Sequence, residues 1–409
     1  MYRKTFELVQ HTPIIHFQHD QTGATLRATE VKPKLDRWLI KNTFKNQRPA
    51  FEHFLIGGKK AIKNALDYKL HIISEGQTIA STKDAKGYFA DLGSDSPKKL
   101  IIFENVYMSI LTVHLDLAQV INQQMGQFLL HNNFGTRSNR GFGSFTLLNE
   151  ENKPDKTRCQ FTVGKNDWAS KKNLPLKLKC FDHIDWLYKS LRQGINHGKY
   201  DSKDKKFVQY LYMKPMIFQY AASLNIQWEK KTIKERFFAT DLNRQQSKYT
   251  KDQASPTQFS SNQKLIVRDL LGLSSEQSWK NYGRGNPKIT KEAIQSKADI
   301  DKHGVLKRYP SPLRFKPVKY QDQDFYTIYL WWEDLDNYYK KSKYKLRIDG
   351  RDNEHPNISM WESFDLNKFM DFALNKKRVR NSLKNINGQG NRLEELIIHI
   401  YSELIESYK

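Results

Sequence analysis

The stretch His131-Asn-Asn-Phe-Gly-Thr-Arg-Ser-Asn-Arg-Gly-Phe-Gly-Ser-Phe145 constrains this chain more than any other. Gly135, Gly141 and Gly143 bracket Arg137 and Arg140, with Thr136, Ser138 and Asn139 between them and aromatic rings at Phe134, Phe142 and Phe145. Glycine at this density frees the backbone for positive φ and for close approach to a ligand. Main-chain N–H groups and two guanidinium forks are therefore expected to converge on phosphates. A nucleotide-triphosphate loop is excluded, because G-x-x-x-x-G-K-[ST] is absent and Gly57-Gly58-Lys59-Lys60 lacks the terminal hydroxyl. The spacing G-x5-G-x-G also differs from the dinucleotide fingerprint G-x-G-x-x-G. What remains is a loop suited to a phosphodiester backbone.

The flanks give the loop its place. Leu115, Leu117, Ala118, Val120, Ile121, Met125 and Phe128 to Leu130 recur at helical spacing before it, and Gly143 to Leu148 reads as a strand after it. Upstream, Thr5 to Gln10 alternates as a half-buried strand. A first helix over Lys34 to Phe44 follows Ala28-Thr-Glu30, then strand-like runs at Leu70 to Ile73, Leu100 to Phe103 and Val106 to Val113. Residues 1–150 thus predict β-α-β-β-α-β, a ferredoxin-like domain.

A charged turn at Glu150 to Lys156 predicts a boundary, and residues 151–409 a second domain. Arg158 to Val163 reads as a strand and Phe181 to Ile195 as an amphipathic helix, while Val208 to Tyr212 and Met216 to Tyr220 fit either strand or buried helix. The polar stretch 229–300 predicts a helical insertion, partly disordered around Ser247 to Asn262, with a helical pattern at Leu265 to Leu271. Leu313 to Val318 and Phe325 to Trp332 resume as strands, the second apolar enough to be buried, and a helix from Arg392 to Tyr408 follows. The fold class expected is α+β.

Lys+Arg of 68 against Asp+Glu of 44 gives a formal net charge of +24 over 409 residues. Such an excess selects an acidic polymer as partner, because neutralising phosphates releases condensed counterions. Aromatic residues at 12% exceed what a core needs and are available to stack bases. Cys159 and Cys180 are too few for a disulfide framework and lack metal-site spacing. With neither an apolar signal run at the N-terminus nor a stretch of roughly 18 apolar residues, a soluble protein of the reducing cytoplasm is expected. No cofactor or metal is expected.

Other candidates are weaker. His11, His16, His19 and Asp20 lie within one short stretch, which suits a polar loop, or RNA contact or acid/base catalysis by His16 or His19; metal-site spacing is absent. Arg27 and Lys32 sit at the start of the first helix, with Thr29 as expected N-cap and Pro33 in the first turn. Lys307, Arg308 and Lys316, and the turn Asn281 to Asn286, add basic groups. Tyr329 to Trp332 and Trp361 fit a core or a docking surface.

The loop ending Arg140-Gly-Phe-Gly-Ser144 resembles that of the RAMP superfamily of CRISPR proteins, RRM-like ferredoxin folds with a basic glycine-rich loop between the second helix and the last strand. Thr12-Pro13, the run Gly23 to Glu30 leading through Lys32 to Trp38, and Arg308 to Val318 resemble the first subunits of type III-B (Cmr) effector complexes in particular. Where that family has a glycine after Thr-Pro, this chain has Ile14-Ile-His-Phe-Gln18. The resemblance implies two ferredoxin-like RAMP domains and a non-catalytic, RNA-binding subunit at the end of a filament of other RAMP subunits. Its partners would be guide RNA near the 3′ part and target single-stranded RNA, in antiviral defence. Implied RNA contacts are Gly135, Thr136, Arg137, Ser138, Asn139, Arg140, Gly141 and Gly143, with Arg27 and Lys32. The alternative is a metal-independent repeat endoribonuclease using His16 or His19. Related nucleases carry the glycine loop near the C-terminus, which argues against it here.

Overall fold

This computed structural model describes residues 1–15, 25–81, 99–149, 152–169, 174–203, 206–228, 264–273, 276–278, 288–303, 305–306, 309–348, 357–386, 388 and 390–408. His16, His19 and Asp20, the turn at 281–286, Lys307, Arg308 and the segment 229–263 lie outside the described residues.

The N-terminal run follows the expected order. Strand β1 (Tyr2–Gln10) turns Phe6, Leu8 and Gln10 inward and leaves Thr5 and Glu7 outside, the period of two that a half-buried strand requires. Helix α1 (Ala28–Trp38) buries Val31 and Leu35, four residues apart on one face. After the short helix α2 (Arg48–Phe51) come β2 (Lys69–Ser81) and β3 (Lys99–Thr112). Helix α3 (Leu115–His131) buries Leu117, Ile121, Met125 and Phe128 at helical spacing, and β4 (Phe145–Leu147) closes the set. The sheet order is β2-β3-β1-β4, every neighbour antiparallel, with Phe6 opposite Met108, Leu8 opposite Val106 and Gln10 opposite Phe145. Phe6, Leu8, Val106 and Met108 join Val31 and Leu35 of α1 and Ile121 and Met125 of α3 in one core. The two runs expected at Leu100 to Phe103 and Val106 to Val113 are one continuous strand.

Helix α1 begins earlier than its sequence suggested. Its N-cap is Arg27, extended at φ −113° and ψ 133°, and Pro33 lies inside the helix, so Thr29 is not the cap. Side-chain bonds from α1 to residues 131–145, given below, hold the extra turn.

The chain divides into two compact units. The first comprises Met1–Asp185, Arg314–Trp331 and Ser402–Lys409, the second Trp186–Leu313 and Trp332–Tyr401. In the first unit β5 (Cys159–Val163) forms the outer strand of a three-stranded sheet ordered β12-β13-β5, where β12 is Leu313–Val318 and β13 is Tyr326–Trp332. Helix α4 (Leu176–Arg192) follows β5 in sequence.

Among the described residues the second unit carries two sheets. One is six-stranded, ordered β10-β11-β14-β15-β9-β8, from β8 (Gln227–Trp228), β9 (Lys264–Ile266), β10 (Glu276–Ser278), β11 (Lys288–Ile294), β14 (Lys343–Ile348) and β15 (Asn357–Met360). The other is three-stranded, ordered β16-β7-β6, from β6 (Ile195–Asp201), β7 (Lys206–Met213) and β16 (Leu383–Asn385). Met216–Ser223 is helix α5, buried through Met216, Ile217, Phe218 and Tyr220. The helical insertion expected over 229–300 reads differently: its described part is mainly the strands β9, β10 and β11, with one 3-10 turn at Arg268–Leu271 and a helix beginning at Lys297. Sheet pairing takes Leu265 and Ile266 out of the pattern that made Leu265 to Leu271 look helical, while Arg268–Leu271 keeps a 3-10 turn. Tyr329 to Trp332 and Trp361 are buried, which makes them core and removes them as docking surface.

Candidate nucleic-acid interface

Residues 131–145 form a loop whose base is locked. Helix α3 ends at His131, and Asn132 caps it by donating from its side chain to the Phe128 carbonyl at 2.8 Å. Phe134 N–H donates to Gly143 O at 2.9 Å, Gly143 N–H to Pro13 O at 2.8 Å, and Ser144 N–H to the Thr12 hydroxyl at 2.9 Å. On the other side Gly135 N–H donates to Glu30 Oε1 at 2.8 Å and Thr136 N–H to Ile15 O at 2.8 Å. The N–H of Gly141 donates to Ser138 O at 3.1 Å. The amides of all three glycines are therefore engaged inside the protein, and the expected main-chain cradle for phosphate is not what they form.

The glycines serve close packing instead. All three have positive φ: +79° at Gly135, +87° at Gly141 and +66° at Gly143. A Cβ at Gly143 would stand 1.9 Å from Phe134 O, one at Gly135 2.6 Å from Ile15 O, and one at Gly141 2.7 Å from the Pro317 ring. No side chain fits at those separations. The rings are likewise internal. Phe134 and Phe145 meet edge to face at 6.0 Å, Phe142 stacks on Phe181 with centroids 3.9 Å apart, and all of them are buried. They are not available to stack bases.

Strand β12 braces the loop from beneath. Phe315 N–H donates to Asn139 O at 3.2 Å, Asn133 Nδ2 donates to Phe315 O at 2.8 Å, and Ser144 Oγ donates to Pro317 O at 2.6 Å. Lys316 is wholly buried, and its ammonium donates to Leu129 O at 2.7 Å, Phe145 O at 2.8 Å and Asn132 O at 3.1 Å. Burial pulls its pKa well down. Three carbonyls match the three donors of an ammonium at the end of α3, where the helix dipole favours a cation. Lys316 is thus a brace of the loop and not a surface contact. His11 is a second internal group. Lys319 N–H donates to its Nδ1 at 3.3 Å, which places the proton on Nε2, 2.9 Å from Thr146 Oγ1. Burial, then Lys316 and Lys319, lower its pKa to about 3.

Above this base the segment Thr136 to Arg140 is half-exposed. Arg140 N–H returns to Arg137 O at 2.8 Å, so 137–140 and 138–141 form two overlapping turns. Arg137 takes φ +60°, a region uncommon for a residue with a side chain. Arg314, half-buried on β12, donates to Asn139 Oδ1 at 3.4 Å and brings a third guanidinium to this tip. Sequence reasoning missed Arg314, although it stands in the run 308–318 beside Lys316.

The helix candidates divide. Lys32 donates to Leu66 O at 2.8 Å and Asp36 Oδ2 at 3.0 Å, and lies 4.1 Å over the Tyr68 ring, so its ammonium serves the fold. Lys34 pairs with Glu30 at 2.8 Å and donates to Asn133 O at 3.0 Å. Glu30 and Lys34 together tie the first turns of α1 to the loop, and Arg27, half-buried, starts that same helix. Among the described residues no set of His, Cys, Asp and Glu could hold a metal ion, and no helix is long and apolar enough to cross a membrane.

Residues 1–195 match the Cmr1 N-terminal domain and residues 212–395 the Cmr1 C-terminal domain. A search of curated proteins returns no match. Among solved structures the chain is similar to a chain of the type III-B Cmr-beta complex bound to cognate target RNA. That match has 13% identity and a TM-score of 0.25 and covers 35% of this chain and 57% of that one. It is also similar to apo Cmr1 from Pyrococcus furiosus, at 9% identity with a TM-score of 0.35, over 82% of this chain and 90% of that one. The two domain matches together span nearly the whole sequence, and the chain belongs to the Cmr1 family of type III-B Cmr complex subunits.

Proposed function

We propose that this chain is a non-catalytic RNA-binding subunit of a type III-B CRISPR interference complex, working in the cytoplasm beside other RAMP subunits. The observation that carries the reading is the half-exposed tip of the loop, which holds Arg137 and Arg140 on a base whose own amides are engaged. A rigid base with cationic side chains on top suits phosphate contact without base reading, because guanidinium forks recognise phosphate oxygens whatever the sequence. The β-α-β-β-α-β order and the β2-β3-β1-β4 sheet support a ferredoxin-like N-terminal domain. Guide RNA and target single-stranded RNA are the partners proposed, with cleavage left to other subunits.

The test is anisotropy of a labelled single-stranded RNA across a salt series. The Arg137→Ala/Arg140→Ala variant should bind more weakly, with the slope of log K against log salt flattened by about 0.7 for each phosphate that is no longer neutralised. A folded variant with unchanged affinity and slope would sink the reading. Incubation of the purified protein with labelled repeat RNA, with and without divalent metal, checks the non-catalytic part: specific cleavage abolished by His16→Ala or His19→Ala would replace it with the endoribonuclease.

A further inference from the structure

We propose that the end of the β2-β3-β1-β4 sheet opposite the glycine-arginine loop docks, led by residues 55–66, into an acid-rimmed apolar groove on another protein. The proposal rests on the reading of the chain as one subunit of a larger complex, and names the surface and the chemistry of its partner. Strand register defines the two ends of the sheet. Tyr2 pairs with Thr112 and Lys69 with Leu111 at one, and Gln10 pairs with Phe145 at the other. Helix α3 leaves the first end after β3 and runs 17 residues, about 25 Å, to the second, where the glycine-arginine loop follows. The connection from α1 to β2 also lies at the first end, since β2 starts there. A partner bound at that end leaves the glycine-arginine loop clear.

The α1-β2 and β3-α3 connections touch. The Thr112 hydroxyl donates to Asp67 O at 2.7 Å, and His114 lies 3.7 Å from the Asp67 carboxylate with its ring 5.7 Å from that of Phe54. From this joint residues 55–66 project as a clamped loop. Leu55 and Leu66 are buried bridge partners at its neck, and Ile56 N–H donates to Ala65 O at 2.9 Å. Arg48 donates to Ala61 O at 2.6 Å and to Asn64 Oδ1 at 2.9 Å. Yet Ile56 is 57% exposed and Ile62 99% exposed, and Val113 and Leu115 on either side of His114 are exposed as well. Aliphatic side chains gathered at one end, two of them on a loop already ordered, mark an interface that loses little entropy on binding. Charge selects the occupant. From Ile56 to Ala65 the loop carries the exposed Lys59, Lys60 and Lys63 and no carboxylate. The carboxylates nearby stand outside it: Glu52 is 3.9 Å from Lys59, Asp67 faces His114, and Asp116 sits in the first turn of α3. A second copy of a chain with net charge +24 is repelled, and RNA offers phosphates and base faces on which isoleucine cannot stack. An apolar groove rimmed by Asp and Glu matches both the isoleucines and the lysines.

The experiment measures binding of the full chain to an immobilised complex of the other type III-B subunits and a guide RNA, with a second arm that carries the photo-cross-linker p-benzoylphenylalanine at position 62. Ile56→Ser/Ile62→Ser and Val113→Ser/Leu115→Ser should each weaken binding by about tenfold or more, the effect of removing aliphatic side chains that a partner buries. Both variants should unfold with the parent's midpoint and bind free single-stranded RNA with the parent's affinity, because the side chains replaced face water in the free chain. Lys59→Glu/Lys60→Glu/Lys63→Glu should slow association, most at low salt. The cross-link from position 62 should fall on a protein segment that bears Asp and Glu, a readout that does not depend on how the variants fold. Parent-like binding by either folded serine variant, or a cross-link to RNA, to a second copy of the chain or to nothing, would each overturn the docking end and leave the glycine-arginine loop as the RNA contact. No binding of the parent chain to the complex defeats the docking end together with the subunit reading on which it rests.

Discussion

The base and the tip of the glycine-arginine loop are built from neighbouring residues under opposite rules. At the base, Phe134, Phe142, Phe145 and Lys316 are buried, and the glycine amides donate to Pro13, Glu30 and Ser138. At the tip, Thr136 to Arg140 keep part of their surface in solvent. Glycine serves the base through lack of volume, and the two arginines stand at the tip. On the function proposed, such a loop holds anions without its glycines touching them. Substitutions in the base should cost stability, and substitutions at the tip should cost binding.

The largest effect is expected at Gly143. A methyl group there would meet Phe134 O at 1.9 Å, and the φ of +66° disfavours any side chain. Gly143→Ala should lose about 4 kcal/mol or more of stability in denaturant unfolding, or fail to fold. Gly58 is the control, because it also has positive φ but nothing lies within 4 Å of its Cβ position. There alanine should cost about 1 kcal/mol, the conformational part alone. Equal losses at the two sites would show that close packing is not what the base requires.

Lys316→Met comes next. It keeps the length of the side chain and strips the ammonium from the carbonyls of Leu129, Asn132 and Phe145. Unmatched buried acceptors of this kind predict a loss of about 3 kcal/mol. A variant as stable as the parent would mean that the loop base relaxes to admit water.

His11 gives a smaller, pH-dependent effect. Its pKa is about 3 in the folded chain against 6.5 for the free side chain, so below pH 6.5 the unfolded chain binds a proton that the folded chain does not. Stability is full above 6.5 and is lost as pH falls toward 3, at up to about 1.4 kcal/mol per pH unit. Unfolding series from pH 7 to about 5 should show this slope in the parent and a shallower one in His11→Gln. Parallel curves would remove His11 as the cause.

How much of this was legible depends on distance along the chain. The alternation in β1 and the spacing in α3 are local, and both elements stand where the sequence put them. The bonds that decide the role of each loop residue are not local. Gly141 is shaped by Pro317, Asn139 by Arg314 and Phe315, and Gly135 by Glu30 and Ile15. A glycine packed against a remote backbone and a glycine cradling phosphate look the same in sequence. Lys32 illustrates the same limit: it reads as a surface cation until Leu66, Asp36 and Tyr68 are seen around it. Strands β9 and β11 went unread because they pair with β15 and β14, far along the chain, and β10 is a three-residue edge strand beside β11.

The smallest effect on stability, and the sharpest separation of tip from base, is expected at Arg137. Its φ of +60° places an arginine where glycine would be at ease, and a residue held in that region carries about 1 kcal/mol of backbone strain. Arg137→Gly removes that strain and the guanidinium together, while glycine's greater freedom in the unfolded chain offsets part of the gain. The variant should therefore unfold within about 0.5 kcal/mol of the parent, yet bind single-stranded RNA more weakly and with a slope flattened by about 0.7. Arg137→Lys keeps the strain and the charge but loses the fork, and should bind at an intermediate strength with the parent slope. If Arg137→Gly lost stability on the scale of Gly143→Ala, the tip would be part of the base after all. If it kept both its stability and its RNA affinity, the strained arginine would have no role in binding, and the cationic tip would reduce to Arg140 and Arg314.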